Sequence, residues 1–406
     1  MNALEYLFGL EQFGIKFGLD NIRAILDALD HPEHGFASIH VAGTNGKGSV
    51  TAMVEMGLRA AGYRTGRYTS PHLVDLRERF AIDGTPVDED AMVAAIADLR
   101  NVVESLVRTG VLEVQPTFFE VTTAVAFELF RRARVTLAVV EVGLGGRLDA
   151  TNVLSPVACA ITSIAFDHQL YLGSTIRSIA LEKAGIIKPG VPVVIGEMDA
   201  EAQSAIEEVA RDRHALIVFA PQADVAGRQV ALRGRHQRVN AAIALALLAV
   251  VDSAGYVVPD DARNAAAGLA EWPGRLDLRT LEDGRQLLMD AAHNPAGAEA
   301  LATYLREQQL RPPLVFAAMR DKDLQGMFRA LLPAVQRLIV TRATNPRSAD
   351  PDAVAAAARA FLPADAIAVE PSLPAALDRA WSHAPLVLVA GSVFLLGDVM
   401  QRLGLH

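Results

Sequence analysis

The 406-residue chain has one cysteine, Cys159, which lies inside an apolar run and reads as packing. A single thiol excludes a disulfide framework and any cysteine-based zinc or iron–sulfur centre within one chain. Long apolar stretches are missing too: the longest plain one, 241–251, is too short to span a bilayer. The opening residues, Met1 to Leu10, carry a glutamate and no basic stretch, so no signal peptide is expected. Positive charge is in deficit. The net charge of −9 argues against a broad basic face for duplex nucleic acid, though a local basic pocket for a small anion stays open. A cytoplasmic protein with no nucleic-acid and no membrane partner is the expectation. Lysine is the scarcest charged residue, with Lys16, Lys47, Lys183, Lys188 and Lys322 standing against 33 arginines. Arginine meets the general need for positive charge, and only lysine offers a compact amine whose pKa can fall far enough to make it a nucleophile. Each lysine is therefore a candidate for work arginine cannot do.

Apolar residues make up 51% of the chain, ample for buried cores, and the length suggests two domains. Short β-branched runs alternate with helical patterns, the signature of an α/β fold with mostly parallel sheets. Strands are predicted over 37–41, 136–142, 157–164, 192–195 and 216–219, with helices over 49–61, 88–106, 120–132, 200–211 and 237–251. A second series restarts after Trp272-Pro273-Gly274, with strands over 286–289, 314–317, 337–341, 366–369 and 386–389 and helices over 296–307, 350–361, 373–381 and 394–403.

The strand over 37–41 runs into Ala42-Gly43-Thr44-Asn45-Gly46-Lys47-Gly48-Ser49 and then a helix. Glycines let backbone N–H groups turn toward an anion, and the helix N-terminus adds positive potential. Lys47 is placed to reach the β- and γ-phosphates of a nucleotide, and Ser49 to offer its hydroxyl to phosphate or Mg²⁺. The match to G-x-x-x-x-G-K-[ST] is imperfect, since Val41 stands at the first glycine and Gly48 is inserted before the serine. A tight strand–helix turn also uses glycines, but it does not require Lys and Ser beside them. The strand over 136–142 brings Glu141 to its tip, an acid beside a phosphate loop in the manner of Mg²⁺-placing acids. Asp167-His168 follows the next strand and reads as a second cation site. Glu120 starts a helix and can simply complement its dipole.

Several strings now stand together: Gly14-Ile15-Lys16-Phe17-Gly18-Leu19, the loop from His40 to Ser49, Thr69-Ser70-Pro71-His72-Leu73, Glu141 to Asn152, Asp167-His168, Glu182-Lys183-Ala184-Gly185-Ile186, Asp290 with His293-Asn294-Pro295, and Asp321-Lys322-Asp323. This set resembles the folylpolyglutamate synthase/dihydrofolate synthase family, relatives of the Mur ligases, over nearly the whole length. The resemblance implies an ATP-binding P-loop parallel-sheet domain over 1–272 and a smaller Rossmann-like α/β domain over 273–406. It implies ATP-dependent joining of L-glutamate to dihydropteroate, to folate or to both, through an acyl phosphate. Gly43, Thr44, Asn45, Gly46, Lys47, Gly48 and Ser49 would bind the ATP phosphates, with Gln237, Asn240, Arg275 and Asp290 also on the nucleotide. Ser70, Glu141, His168 and a carbamoylated Lys183 would hold two Mg²⁺ ions, with K⁺ as a further candidate. His72, Asp149 and Thr151 would meet the pterin substrate, and Lys47, Lys183, His293 and Arg275 would serve the reaction. A monomer is expected. Two other readings share some features: a Mur-type ligase acting on a UDP-linked peptide, and a P-loop ATPase without ligase chemistry. The first normally needs an extra N-terminal domain before the strand that opens here at Ala37, and the second leaves Lys183 and His293 unexplained.

Overall fold

The computed structural model describes residues 2–14 and 16–405; Ile15, in the glycine-flanked string, lies outside them, and of Asp224 only the backbone is described. The chain divides into two compact units, one of Met1–Ile164, Leu172–Ala231 and Val239–Ala270, the other of Ala165–Tyr171, Leu232–Arg238 and Glu271–His406.

The first unit is built on an eight-stranded sheet: β1 (Ala37–Ala42), β2 (Thr65–Tyr68), β3 (Phe80–Ile82), β4 (Thr85–Pro86), β5 (Leu137–Glu141), β6 (Ala158–Ile161), β7 (Val193–Ile195) and β8 (Ile217–Phe219). Their order is β4-β3-β2-β5-β1-β6-β7-β8. The six strands from β2 to β8 in that order run parallel, while β3 and β4 add an antiparallel edge. Every residue of β5 is buried, the continuous apolar run that a sheet covered on both faces requires. One apolar cluster packs Phe127 and Phe130 of the helix Phe118–Arg132 with Ile96 and Leu99 of the helix Glu89–Arg108; a second gathers Ile161, Ile179, Ile195 and Ile206. Burying a side chain of this size stabilises by about 1.5–3 kcal/mol. β1 lies between β5 and β6, and the chain lays β2 to β5 on one side of it before crossing to lay β6 to β8 on the other. The C-terminal ends of β1, β5 and β6 therefore meet at a topological switch point, where open α/β sheets bind ligands.

The second unit carries a six-stranded sheet of β9 (Asp277–Thr280), β10 (Gln286–Asp290), β11 (Leu314–Phe316), β12 (Leu338–Val340), β13 (Ile367–Val369) and β14 (Leu386–Ala390), in the order β13-β12-β11-β14-β10-β9. All pair in parallel except β9, which runs antiparallel along β10. Phe316, Phe328, Leu331 and Leu388 anchor its core.

His40, in the middle of β1, is fully buried. Its Nε2 lies 2.8 Å from Thr151 Oγ1, and that hydroxyl gives its own proton to Asp149 Oδ1. His40 Nε2 must then be the donor. Burial pushes the imidazole pKa down to about 3, with the Lys188 charge adding to the effect. The unfolded chain takes up this proton near pH 6.5 and the folded chain only near pH 3, so stability falls as pH drops through that window. One such group contributes at most about 1.4 kcal/mol per pH unit. The carboxyl of Asp149, raised by burial, works in the opposite sense above the ordinary carboxylate value. Urea midpoints from pH 7 to 4 should fall less steeply in His40→Gln than in the parent; parallel curves would refute the assignment.

Candidate active site

The glycine loop leaves β1 and enters the helix Lys47–Ala60 through Gly46, which has φ +90° and gives no side-chain cap. The first N–H groups of this helix are thus left for another acceptor. The loop is fixed from the tip of β6: Thr44 N donates to the Ser163 carbonyl at 2.7 Å, and the hydroxyls of Thr162 and Ser163 donate to the Asn45 carbonyl at 2.7 and 3.0 Å. Gly43 has φ +147°, and a Cβ there would lie 1.9 Å from Thr162 Oγ1, so only glycine fits. Lys47 Nζ donates to the Gly43 and Thr44 carbonyls at 3.1 and 3.3 Å. Lys183, 4% exposed, donates to the same Gly43 carbonyl at 2.9 Å. Ser49 Oγ is buried without a hydrogen-bond partner, a state that buried hydroxyls rarely keep.

Glu141 ends β5 opposite Val41, and its Oε2 accepts the Ser70 N–H at 3.3 Å. Ser49, Ser70 and Glu141 supply hard oxygen donors, the set that Mg²⁺ selects, so these residues fit such an ion. His72 Nδ1 accepts from Arg79 Nε at 2.9 Å. Burial and the Arg79 charge hold its pKa down at about 4, so the ring is neutral and its Nε2–H is a donor. Arg79 itself lies over the Phe118 ring at 5.1 Å.

The loop from Gly143 to Asn152 is tied to the end of the helix Ile176–Ala184. Arg147 N donates to the Glu182 carbonyl at 2.8 Å, and Asn152 Nδ2 donates to the Arg147 and Gly185 carbonyls at 2.9 and 3.1 Å. Any Cβ at Gly146 would press on the Glu182 and Lys183 carbonyls at 2.9 Å. The two glycine-bearing strings are thus one packing unit that seats Lys183. Asp149 and Thr151, expected on the pterin substrate, are turned inward: Asp149 accepts from Leu144 N at 2.8 Å and Thr151 N at 3.1 Å, and Thr151 is fully buried. Asp149 caps the short turn Ala150–Val153, as Asp does where its side chain satisfies nearby backbone donors. Glu120 is a helix-start residue: its Oε2 accepts the N–H and hydroxyl of Thr117 at 2.7 and 2.9 Å.

In the second unit Asp290 ends β10, buried, and accepts the Leu276 and Ala292 N–H groups at 2.9 and 3.0 Å. Burial raises its pKa, and the charges of Arg275 and His236 oppose that rise. The sequence reads Asp167-His168 as a second cation site, and in the structure Asp167 is surrounded by donors. His168 Nε2 lies 3.9 Å from Asp167, while Lys322 Nζ donates to Asp167 Oδ1 at 2.6 Å and Asn294 Nδ2 to Oδ2 at 3.1 Å. His293 Nε2 lies 3.3 Å from Oδ2, and its Nδ1 donates to the Ala291 carbonyl at 2.8 Å. Three donors take the carboxylate because the sheet brings their loops to it. Burial alone would raise the Asp167 pKa; the hydrogen bond from His293 and the charges of His293, His168 and Lys322 pull it far below the carboxylate range. Sequence reasoning missed this hub, although the scarcity of lysine had already marked Lys322. Gln237 and Asn240 are both buried on the helix Arg235–Ser253, with Asn240 Oδ1 2.4 Å from where a Gly46 Cβ would stand.

The family described as Mur ligase, glutamate ligase domain, matches residues 274–393. The dihydrofolate synthase/folylpolyglutamate synthase of Bacillus subtilis is 33% identical, over 99% of this chain and 98% of its own. The Mycobacterium tuberculosis folylpolyglutamate synthase, solved with ADP and AMPPCP, superposes with a TM-score of 0.90 at 33% identity, over 99% of this chain and 98% of that one. The bifunctional Yersinia pestis enzyme, complexed with AMPPNP and a Mn ion, gives a TM-score of 0.84 at 29% identity, over 100% of this chain and 99% of that one.

Proposed function

The chain belongs to the folylpolyglutamate synthase/dihydrofolate synthase family, and from that premise we propose that it is an ATP-dependent ligase joining L-glutamate to dihydropteroate and to the γ-carboxylate of tetrahydrofolate. A carboxylate does not condense with an amine unaided, because oxide is a poor leaving group. In the proposed reaction a carboxylate oxygen attacks the γ-phosphorus of ATP, the bond to the ADP oxygen breaks, and an acyl phosphate forms. The glutamate amine attacks the acyl carbon and loses its proton, and inorganic phosphate leaves with the C–O electron pair. The protein's share is positioning and charge neutralisation. Lys47 and the N–H groups of residues 43–49 serve the phosphates. Ser70, Glu141, His168 and carbamoylated Lys183 are the ligands assigned to two Mg²⁺ ions, which when bound would neutralise phosphate charge, with K⁺ as a further ion. Arg275 is assigned to the phosphates, Asp290, Gln237 and Asn240 to the nucleoside, and His293 to the reacting groups. His72 and the loop carrying Asp149 and Thr151 are assigned to the pterin acid. Monomeric state and cytoplasmic residence complete the proposal; among the described residues no helix is long and apolar enough to cross a membrane.

The observation that carries this reading is the convergence of two of the five lysines, Lys47 and Lys183, on the Gly43 carbonyl beside the unpartnered Ser49 hydroxyl. Its test is ADP release by the purified protein with MgATP. Release should require glutamate together with dihydropteroate or tetrahydrofolate, whereas release with either component omitted would point to a plain ATPase. Lys183 gives a second test. Its buried amine is proposed to add to CO₂, forming the N–C bond and releasing one proton. A carbamate carbon signal should appear with ¹³C-bicarbonate and Mg²⁺ and vanish in Lys183→Arg; its absence from the parent protein would overturn the modification.

A further inference from the structure

The short turn Pro32–Gly35 precedes β1 and is entered through Asp30 and His31, both with left-handed backbone (φ +57° and +50°). It stacks the rings of His31 and His34 with centroids 4.8 Å apart, and the Glu33 carboxylate lies within 4 Å of a nitrogen of each. Glu33 Oε1 lies 3.0 Å from His31 Nδ1 and 3.7 Å from His34 Nε2. The ligand atoms of all three residues fall within 4.8 Å of one another. The Glu33 side chain is only 7% exposed, and its Oε2 is buried with no hydrogen-bond partner. An idle carboxylate oxygen in such a place is costly unless something positive meets it.

We infer that His31, Glu33 and His34 form a binding site for a divalent transition ion of the zinc class, separate from the residues assigned to ATP and its magnesium. Zinc binds imidazole nitrogen and carboxylate oxygen at about 2.0–2.2 Å, which puts tetrahedral ligand atoms about 3.3–3.5 Å apart. The gaps of 3.0 and 3.7 Å on either side of Glu33 Oε1 bracket that separation. Two imidazoles and one carboxylate favour Zn²⁺, Ni²⁺ or Cu²⁺ over Mg²⁺, which prefers oxygen alone. The outer shell is present as well: His31 Nε2 lies 3.4 Å from Asp27 Oδ1, so the ring can ligate through Nδ1 while a carboxylate holds its other nitrogen. The three residues line a cleft of about 330 Å³ shared with Arg23 and Lys188, which leaves room for water or a small anion as the fourth ligand.

The test is zinc uptake by the full chain, measured by equilibrium dialysis and metal analysis with excess Mg²⁺ and a non-hydrolysable ATP analogue present to fill the oxygen-donor sites. The parent should take up an equivalent of zinc at micromolar free ion. His31→Asn, which tolerates the left-handed backbone, combined with His34→Ala should weaken uptake more than about tenfold and leave MgATP-dependent turnover unchanged. His34→Ala alone, at a site 70% exposed, guards against a folding defect and should weaken uptake as well. Cobalt(II) bound to the parent should show tetrahedral visible absorption that both variants lose. Equal zinc uptake by parent and variants, or no uptake by the parent, would overturn the site.

Discussion

Lys47→Ala is expected to lower kcat/KM for ADP release by about 10²–10³, roughly 2.7–4 kcal/mol of transition-state stabilisation, the size found when one preorganised charge-stabilising donor is removed. The side chain opens the helix Lys47–Ala60, and its ammonium rests on the Gly43 and Thr44 carbonyls. Those are weak partners for a cation, easily exchanged for a triphosphate. In the proposed site, removing the amine takes one cation from the transferred phosphoryl. Lys47→Arg should rescue little, because a planar fork on a longer stem cannot replace a compact ammonium in so tight a loop. Thermal stability should shift little in Lys47→Ala, since the residue is half-buried and makes no ion pair among the described residues. Unchanged turnover would remove Lys47 from the reaction, and a large drop in melting temperature would recast it as structural.

The sequence exposed these features unevenly, and the reasons are physical. The central strands were legible because a parallel sheet covered on both faces needs continuous apolar runs, as in Leu-Ala-Val-Val of β5. β2 and β9 were not. Thr-Gly-Arg-Tyr and Asp-Leu-Arg-Thr carry no apolar run, and only their pairing with β5 and β10 makes them strands. The predicted helix start at Ser49 falls two residues late, because Gly46 at left-handed φ, rather than a Ser or Asp cap, begins the helix. The glycine loop stood out because its glycines, lysine and serine are contiguous. Only the family resemblance marked Asp149 and Thr151, and their hydrogen bonds to the loop's own backbone follow from short polar side chains in a turn. The Asp167 hub was invisible for a different reason: Asp167 and Lys322 are 155 residues apart, and only the folded second unit joins them.

That hub gives the largest expected effect on stability. Lys322 and Asp167 are each 8% exposed and joined at 2.6 Å, so Lys322→Ala leaves a buried carboxylate short of its principal cation. Breaking a buried pair from one side typically costs about 3–5 kcal/mol, because the desolvation of the remaining charge is no longer offset. Both tryptophans, Trp272 and Trp381, lie in the second unit, so their fluorescence in urea reads the relevant transition. Asp167→Asn alone should destabilise as well, while Lys322→Met with Asp167→Asn should cost less than the two changes summed; the shortfall measures the coupling. The pH dependence has a definite sign. Because the folded Asp167 pKa is depressed, its contribution is whole above the ordinary carboxylate value and is lost as pH falls below that value toward the depressed one. The gap between parent and Lys322→Ala should therefore be widest near neutrality and close in acid. A loss under about 1 kcal/mol at pH 7, the range of an exposed pair, would show that water screens the contact and that the hub does not hold the second unit together.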